Sequence, residues 1–179
     1  MPVTRPTVLV MASGRGQRFR DSGGTTHKLQ ADLCGKSVLQ HTLETVQRSG
    51  LPWHLEDAGH PGMGDSIAAA VRATRDARGW MVLPADLPLI APQTLLQIAD
   101  AVVDADVLVP QYQGQRGHPV RFAAVCGDAL AALQGDAGAA VVTHAFRKAS
   151  LEVDDVGCVM DIDTVADLQR AAAMYEARR

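Results

Sequence analysis

Glycines and cations lie close together near the start of the chain, directly after an apolar run. Gly14 and Gly16 follow the run that ends at Ala12. Three cationic side chains come next in the sequence: Arg15, Arg18 and Lys28. Because glycine has no Cβ, the backbone N–H groups of such a turn can approach a ligand closely. We therefore predict a phosphate-binding loop at the C-terminal end of a buried first strand.

Spacing separates the possible interpretations of this loop. The dinucleotide fingerprint requires a third glycine for close packing of helix on strand, and Phe19 occupies that position. A Walker A loop would end at Gly35-Lys36-Ser37, but its first glycine would fall at Gln30. A nucleotidyltransferase loop is the third interpretation. The remaining alternative is a plain glycine-rich turn with solvated arginines.

A lone carboxylate ends a second apolar run. Asp86 follows the run from Trp80 to Ala85, which indicates a buried strand. Ligands of open α/β folds bind at the carboxyl ends of the strands, so we expect Asp86 to lie at the same edge of the sheet as the glycine-rich loop. The alternative is that Asp86 only caps a turn or a helix.

Helices are predicted between the strands. A helical apolar pattern runs from Ser37 to Arg48, with Ser37 as N-cap, Gly50 past the end and His41 as a partly exposed residue. Because strands alternate with helices over the first two thirds of the chain, we predict a three-layer α/β/α fold, Rossmann-like, with a mostly parallel sheet.

The ends of three other helices are predicted from capping residues and periodicity. Asp65 or Ser66 is the expected N-cap after a glycine-rich turn, which would direct free N–H groups at an anion. Asp136 is the expected N-cap of a later helix. An amphipathic helix is predicted over Pro92 to Val103, with Val102 facing inward.

The composition indicates one globular domain over residues 1–179. A net charge of −3 and only 4% aromatic residues argue against binding of long nucleic acids. Cys34, Cys126 and Cys158 are far apart and odd in number, which disfavours a disulfide framework or a zinc site. No apolar run is long enough for a bilayer, and residues 1–6 lack the apolar core of a secretory signal, so we expect a cytoplasmic location and no membrane partner.

Several segments, in matching order, resemble the MobA-like nucleotidyltransferases. The segment from Ala12 to Phe19, followed by Lys28, is similar to the glycine-rich signature of that family. Asp86-Leu87-Pro88 is similar to its aspartate motif. The segments similar to its other motifs are Gly62 to Ser66, Arg116 to Phe122, Gly135 to Ala139 and Asp161 to Leu168. The resemblance covers most of the chain and implies the nucleotide-diphospho-sugar transferase-like fold.

This resemblance implies transfer of a nucleotide from a triphosphate to an acceptor phosphate, with release of pyrophosphate. It assigns catalysis to Lys28, Arg18 and Asp86. It assigns Mg²⁺ to Asp86 and Asp163, with Asp161 as the less favoured ligand. The nucleotide-binding residues that it implies are Ala12, Ser13, Gly14, Arg15, Gly16, Gly64 and Ser66.

The acceptor-binding residues implied by the resemblance are Arg116, His118 and Asp136. Their motifs are most similar to the branch that joins CTP to molybdopterin. The expected partners are therefore CTP or another nucleoside triphosphate, a molybdopterin-type acceptor and a molybdenum hydroxylase as recipient. Ser13 stands where guanine-specific relatives tend to have a second glycine, which favours CTP over GTP.

The chain departs from the family pattern at Phe19 and Arg20, which replace methionine and glycine. Relatives also carry a further strand and helix near residues 50–60, so we expect the sheet to be trimmed by one βα unit there. His54 and His60 in this segment lack the spacing of metal ligands. Two alternatives stay open: a transferase that acts on a sugar or polyol phosphate or uses GTP, and a catalytically degenerate carrier of molybdenum cofactor.

Overall fold

The computed structural model describes residues 4–178, so part of the N-terminal segment considered for a secretory signal lies outside it. The strands are β1 (Thr7–Met11), β2 (Asp32–Leu33), β3 (Lys36–Ser37), β4 (Trp53–Glu56), β5 (Gly79–Pro84), β6 (Val107–Tyr112), β7 (Gln115–Arg116), β8 (Val120–Ala123) and β9 (Lys148–Glu152). The helices are α1 (Gln17–Asp21), α2 (Val38–Ser49), α3 (Met63–Ala73), α4 (Pro92–Asp100), α5 (Gly127–Ala131), α6 (Ala140–Ala145) and α7 (Val165–Ala177). Between residues 4 and 178 we find no helix with the length and hydropathy needed to traverse a bilayer.

The central sheet has the strand order β4-β1-β5-β8-β6-β7, and β9 pairs with β6. β1 is parallel to both β4 and β5, and β9 is parallel to β6. β8 is antiparallel to β5 and β6, and the short β7 is antiparallel to β6. The prediction of a mostly parallel sheet is therefore confirmed. β2 and β3 form a separate hairpin.

Helices cover both faces of this sheet, as the three-layer prediction requires. Alternate residues of β1 and β5 point to opposite faces, because side chains alternate along a strand. One core combines Val8, Val10 and Leu83 with Val38 and Val46 of α2, Leu95 of α4 and Ala171 of α7. The other combines Leu9 and Val82 with Ile67 of α3, Leu130 of α5 and Val142 of α6. Burial on both faces explains why the strands are apolar runs rather than alternating patterns.

The sheet ends at β4 in the described part of the chain. Trp53 in this edge strand is 39% exposed, and a short turn leads from β4 directly into α3. The C-terminal ends of β1, β4 and β5 therefore lie side by side, next to the start of α3.

The caps of α2 are as predicted, but the position of His41 was predicted wrongly. Ser37 forms a capping box with Gln40, and Gly50 ends the helix in the left-handed region at φ +69°. His41 is only 5% exposed, because its Nε2 lies 2.7 Å from the carbonyl oxygen of Leu33 and its ring contacts Tyr175 edge-on.

The predicted end of α4 was also wrong. α4 ends at Asp100, and Val102 is fully exposed rather than inward-facing. Arg121, from β8, donates hydrogen bonds to the carbonyl groups at the C-terminal end of this helix. These carbonyls would otherwise accept the N–H groups of a further helical turn, so the helix can end here. The carbonyl partners of Arg121, at 2.8–3.1 Å, are Ile98, Ala99 and Ala101.

Candidate active site

The glycine-rich loop is held by a histidine that the sequence motifs do not include. The Nε2 atom of His27 lies 2.7 Å from the carbonyl oxygen of Gly14, and its Nδ1 accepts the N–H of Leu29 at 3.2 Å. Because Nδ1 accepts, Nε2 carries the proton and donates to Gly14. Gly16 has a left-handed φ of +63° and begins α1. His27 thus joins the loop to the turn that carries Lys28.

Two cations and two carboxylates from distant parts of the sequence meet at the end of β5. The Nζ atom of Lys28 lies 2.6 Å from Oδ2 of Asp86 and 3.1 Å from Oδ1 of Asp163. Arg18 donates to the other oxygen of Asp163 at 2.9 Å. The structure therefore brings together all four residues that were predicted for catalysis and metal binding.

A third carboxylate belongs to the same cluster. Oxygen atoms of Asp86, Asp161 and Asp163 all lie within 4.8 Å of one another. Oδ1 of Asp86 is buried and has no hydrogen-bond partner among residues 4–178. The acidic segment is held in place because the N–H of Ile162 donates to the carbonyl of Asp86 at 3.0 Å. An unpartnered buried oxygen among three carboxylates suits a hard divalent cation.

The electrostatics of the cluster are strongly coupled. Burial alone would lower the pKa of Lys28, but the charge of Asp86 and hydrogen bonds to Asp86 and Asp163 hold that pKa above its ordinary value. Burial, followed by the charge of Asp86, raises the pKa of Asp161. Lys28 therefore remains an ammonium, and the raised pKa of Asp161 favours its protonated form more than that of a free aspartate.

A cavity of about 270 Å³ opens beside the glycine-rich loop. Three predicted nucleotide-binding residues line it: Ser13, Gly14 and Arg15. The other walls are His60, Pro61, Gly62, Met63 and Asp136. The hydroxyl of Ser66, from α3, lies 2.6 Å from the hydroxyl of Ser13. This hydrogen bond ties the start of α3 to the loop.

The other predicted nucleotide-binding residues lie outside these walls. Ala12 donates its N–H to the carbonyl of Glu56 at 2.9 Å, which pairs the end of β1 with β4. Gly16 provides the left-handed turn before α1. Gly64 donates its N–H to the carbonyl of Gly135 at 2.8 Å. That N–H is therefore already used within the protein and is not free for a ligand.

The predicted N-cap of α3 was wrong. α3 begins at Met63, with Gly62 at the N-cap and no side-chain cap, so Asp65 and Ser66 lie inside the first turn. A Cβ on Gly62 would come within 2.1 Å of the carbonyl oxygen of Gly135. The carboxylate of Asp65 accepts the N–H of Gly135 at 3.1 Å. The glycine-rich turn thus allows close packing between two backbones.

Asp136 occupies a different place from the one that the motifs implied. It lines the cavity beside the glycine-rich loop, whereas Arg116 and His118 line another cavity. It does not cap α6, which begins at Ala140 without a side-chain cap. The neighbouring residue Gly135 forms hydrogen bonds with Gly64 and Asp65 of α3. These bonds hold Asp136 beside the start of α3 and away from Arg116 and His118.

Arg116 and His118 border a cavity of about 530 Å³ on the α3 and α6 side of the sheet. Most of its walls are apolar, with Met11, Met63, Ile67, Val82, Pro84, Val109 and Val120 among them. A smaller cavity of about 210 Å³ continues from the same two residues to Asp86 and Asp161. The two cavities thus share Arg116 and His118, and the smaller one reaches the cluster of carboxylates.

His118 is a partly buried imidazole at this junction. Its Nδ1 atom is buried without a hydrogen-bond partner among residues 4–178. Burial lowers the pKa of His118; the charge of Asp86 opposes this effect and that of Arg116 adds to it. His118 therefore offers a neutral ring with an unused nitrogen.

Comparison with known proteins gives a family match over most of the chain. The family model described as MobA-like NTP transferase domain matches residues 8–153. The bifunctional protein GlmU of Xanthomonas axonopodis pv. citri is 27% identical over an alignment of 135 residues, gaps included, that covers 62% of this chain and 29% of that protein. The 2-C-methyl-D-erythritol 4-phosphate cytidylyltransferase of Frankia casuarinae is 31% identical over an alignment of 128 residues, gaps included, that covers 58% of this chain and 47% of that protein. The chain thus spans less than half the length of these relatives.

Solved structures resemble nearly the whole chain. The manganese complex of Rv0371C from Mycobacterium tuberculosis has a TM-score of 0.69 and 23% identity, covering 95% of this chain and 99% of that one. Molybdopterin-guanine dinucleotide biosynthesis protein A from Archaeoglobus fulgidus has a TM-score of 0.70 and 21% identity, covering 96% and 99%. At these identities the likeness establishes the fold, which is that of the α/β nucleotidyltransferases.

Proposed function

Because the chain belongs to the MobA-like NTP transferase family, we propose that it transfers CMP from CTP to the phosphate of a molybdopterin-type acceptor and releases pyrophosphate. The observation that carries this proposal is the meeting of Lys28 with Asp86 and Asp163, at 2.6 Å and 3.1 Å, beside the glycine-rich loop. A cation and carboxylates next to a phosphate-binding turn are what nucleotidyl transfer requires of a protein.

The side chains of the site divide this task. The acceptor phosphate attacks the α-phosphorus of the nucleotide in line, and pyrophosphate leaves. Lys28 lies deepest and closest to the carboxylates, so we assign it to the negative charge that grows at the α-phosphate. Arg18 and the exposed Arg15 are assigned to the leaving pyrophosphate. Removal of one well-placed cation from such a site costs about 3 kcal/mol of barrier.

Asp86, Asp161 and Asp163 would hold the divalent cation. Mg²⁺ favours oxygen ligands from one or two carboxylates together with phosphate oxygens, and the manganese complex of the Rv0371C protein supports a divalent ion. When bound, the ion would polarise phosphoryl oxygens and neutralise the departing charge. The three aspartates would hold the ion near Lys28.

The apolar cavity favours a ring system over a polyol as acceptor. The hydroxyl groups of a sugar phosphate would need hydrogen-bond partners, and the walls of this cavity are largely aliphatic. A flat pterin could pack on those walls while Arg116 and His118 supply polar contacts. The name of the Archaeoglobus neighbour, a molybdopterin-guanine dinucleotide protein, supports the same class of acceptor.

A second candidate is cytidylyl transfer to a polyol phosphate, because the Frankia relative is a methylerythritol phosphate cytidylyltransferase. Pyrophosphate release should be measured with CTP or GTP and Mg²⁺, using molybdopterin and methylerythritol phosphate as acceptors in parallel. We expect turnover with CTP and molybdopterin. Turnover with the polyol phosphate alone would favour the second candidate. A pterin that binds while no pyrophosphate forms would favour a carrier.

Variants connect the activity to the site. Asp86→Asn should lower turnover by about 100-fold or more, since losses of this order follow removal of one electrostatic group. Asp100→Asn is the matched control, because Asp100 forms an exposed ion pair with Arg5. Equal activities of the two variants would contradict the assignment of Asp86.

A further inference from the structure

A buried glutamate at the edge of the sheet holds two histidines. Glu56 ends β4 and is 7% exposed. Its two carboxylate oxygens face different rings: Nε2 of His54 lies 3.3 Å from Oε2, and Nε2 of His60 lies 3.0 Å from Oε1. The backbone of Glu56 pairs with Ala12, so this group of three lies next to the glycine-rich loop.

The glutamate fixes which nitrogen of His60 carries the proton. Burial acts to raise the pKa of Glu56, but the hydrogen bonds from His54 and His60 outweigh it and hold that pKa below its ordinary value. An ionised carboxylate can only accept hydrogen bonds, so Nε2 of His60 must donate. In the neutral ring, Nδ1 then keeps its lone pair. No residue from 4 to 178 forms a hydrogen bond with that Nδ1.

Only one of the two histidines lines the cavity beside the glycine-rich loop. His60 lines it together with Ser13 and Gly14, whereas His54 is not among its walls. Pro61 and Met63 flank His60 and offer apolar surface on which a flat ring can pack. The cavity thus combines an apolar wall with one imidazole whose Nε2 is engaged by Glu56.

We propose that Nδ1 of His60 accepts a hydrogen bond from the exocyclic amino group of the nucleobase, so that the site selects CTP over UTP. The inference rests on the proposed function, since it takes this cavity as the nucleotide site. Uracil has a carbonyl oxygen where cytosine has the amino group. That oxygen would face the lone pair of Nδ1 with no proton between them, and a polar group left unpaired in this way weakens binding.

The cavity wall also carries the hydroxyl of Ser13, which is engaged by Ser66, and the carboxylate of Asp136. A carboxylate is a strong acceptor, so Asp136 must be tested beside His60. Dissociation constants of CTP and UTP should be measured by calorimetry with the intact chain. Suitable variants are His60→Phe, Glu56→Gln, Asp136→Asn and the control His54→Phe. Because binding is measured directly, the result does not depend on which acceptor the protein uses.

We expect the native chain to bind CTP about tenfold more tightly than UTP, as one hydrogen bond of this kind would give. His60→Phe should bring the ratio close to one, while His54→Phe and Asp136→Asn leave it unchanged. Glu56→Gln can donate its amide N–H to Nε2 and so move the proton to Nδ1. It should therefore lower or invert the preference for CTP.

Four results would overturn the inference. Equal affinity of the native chain for CTP and UTP would refute it while leaving the transferase intact. A folded His60→Phe protein that still prefers CTP, or a loss of preference in Asp136→Asn alone, would also refute it. If neither nucleotide binds, the proposed function fails together with it. Should Glu56→Gln not fold, the comparison of His60→Phe with His54→Phe decides.

Discussion

Replacing Lys28 with methionine should destabilise the protein, slow its reaction and yet tighten its hold on a divalent cation. The ammonium lies 2.6 Å from Asp86 and 3.1 Å from Asp163, and the Lys28 side chain is only 14% exposed. Loss of one partner from a buried ion pair costs about 3–5 kcal/mol. Asp163 is 32% exposed and keeps its contact with Arg18, so we expect a loss of about 3 kcal/mol, at the lower end.

Cation affinity should change in the opposite direction. In the native chain a divalent ion must compete with the Lys28 ammonium for Asp86, whose other carboxylate oxygen is buried without a partner. Lys28→Met removes that competitor. If most of the 3 kcal/mol is regained when the ion binds, its affinity rises by up to about 100-fold, since each 1.4 kcal/mol is a factor of ten. Turnover should still fall by about 100-fold, because the α-phosphate loses its nearest cation.

Urea unfolding with and without MnCl₂ tests the stability and the affinity together, because a ligand that binds only the folded state adds stability that grows with the logarithm of its affinity. Lys36→Met is the matched control. Lys36 forms an exposed pair with Glu44, 46% exposed on each side, and such pairs contribute about 0–1 kcal/mol. The reasoning fails if Lys28→Met has the same urea midpoint of unfolding as the native chain. It also fails if Mn²⁺ stabilises Lys28→Met and the native chain equally.

Three further predictions concern the frame of the site. Arg121→Met should lower the free energy of unfolding by about 3 kcal/mol, as measured in urea, because the carbonyls at the end of α4 lose charged donors. Gly62→Ala should lower the melting temperature by several degrees more than Gly138→Ala does, since its Cβ meets a backbone oxygen at 2.1 Å whereas Gly138 has open space. Burial lowers the pKa of His118, so its contribution to stability is complete above about pH 6.5 and is lost as the pH falls through the lowered folded value. The difference in unfolding free energy between the native chain and His118→Asn should therefore be constant above about pH 6.5. Below that pH the native chain should lose stability relative to His118→Asn.

The parts of the fold that could be predicted from sequence are those whose causes are local. The strand before Gly14 and the strand before Asp86 are apolar runs that end in turn residues, and both are where the sequence places them. Ser37 caps α2 because a serine oxygen reaches an N–H three residues on. The C-terminal end of α4 was missed because Arg121, from another strand, satisfies its carbonyls.

The candidate site shows the same division between local and distant causes. Lys28 and Asp86 could be found because each belongs to a motif with a recognisable spacing. His27 and His60 could not, since the hydrogen bonds from His27 to Gly14 and from His60 to Glu56 belong to no recognised motif. The only signal for His27 is its position between the glycine-rich loop and Lys28. For His60 the signal is its separation of four residues from Glu56, at the end of an edge strand.

These unmarked histidines explain how a short chain can keep a defined site. Where relatives are expected to have a further strand and helix, this chain has only the turn between β4 and α3. Glu56 fastens that turn through His60, and His27 fastens the glycine-rich loop through Gly14. Each of these hydrogen bonds restrains its turn through one side chain. The mobility of both turns should therefore depend on these two imidazoles more than on the surrounding apolar contacts, and hydrogen exchange at the two turns in His27→Phe and His60→Phe would measure that dependence.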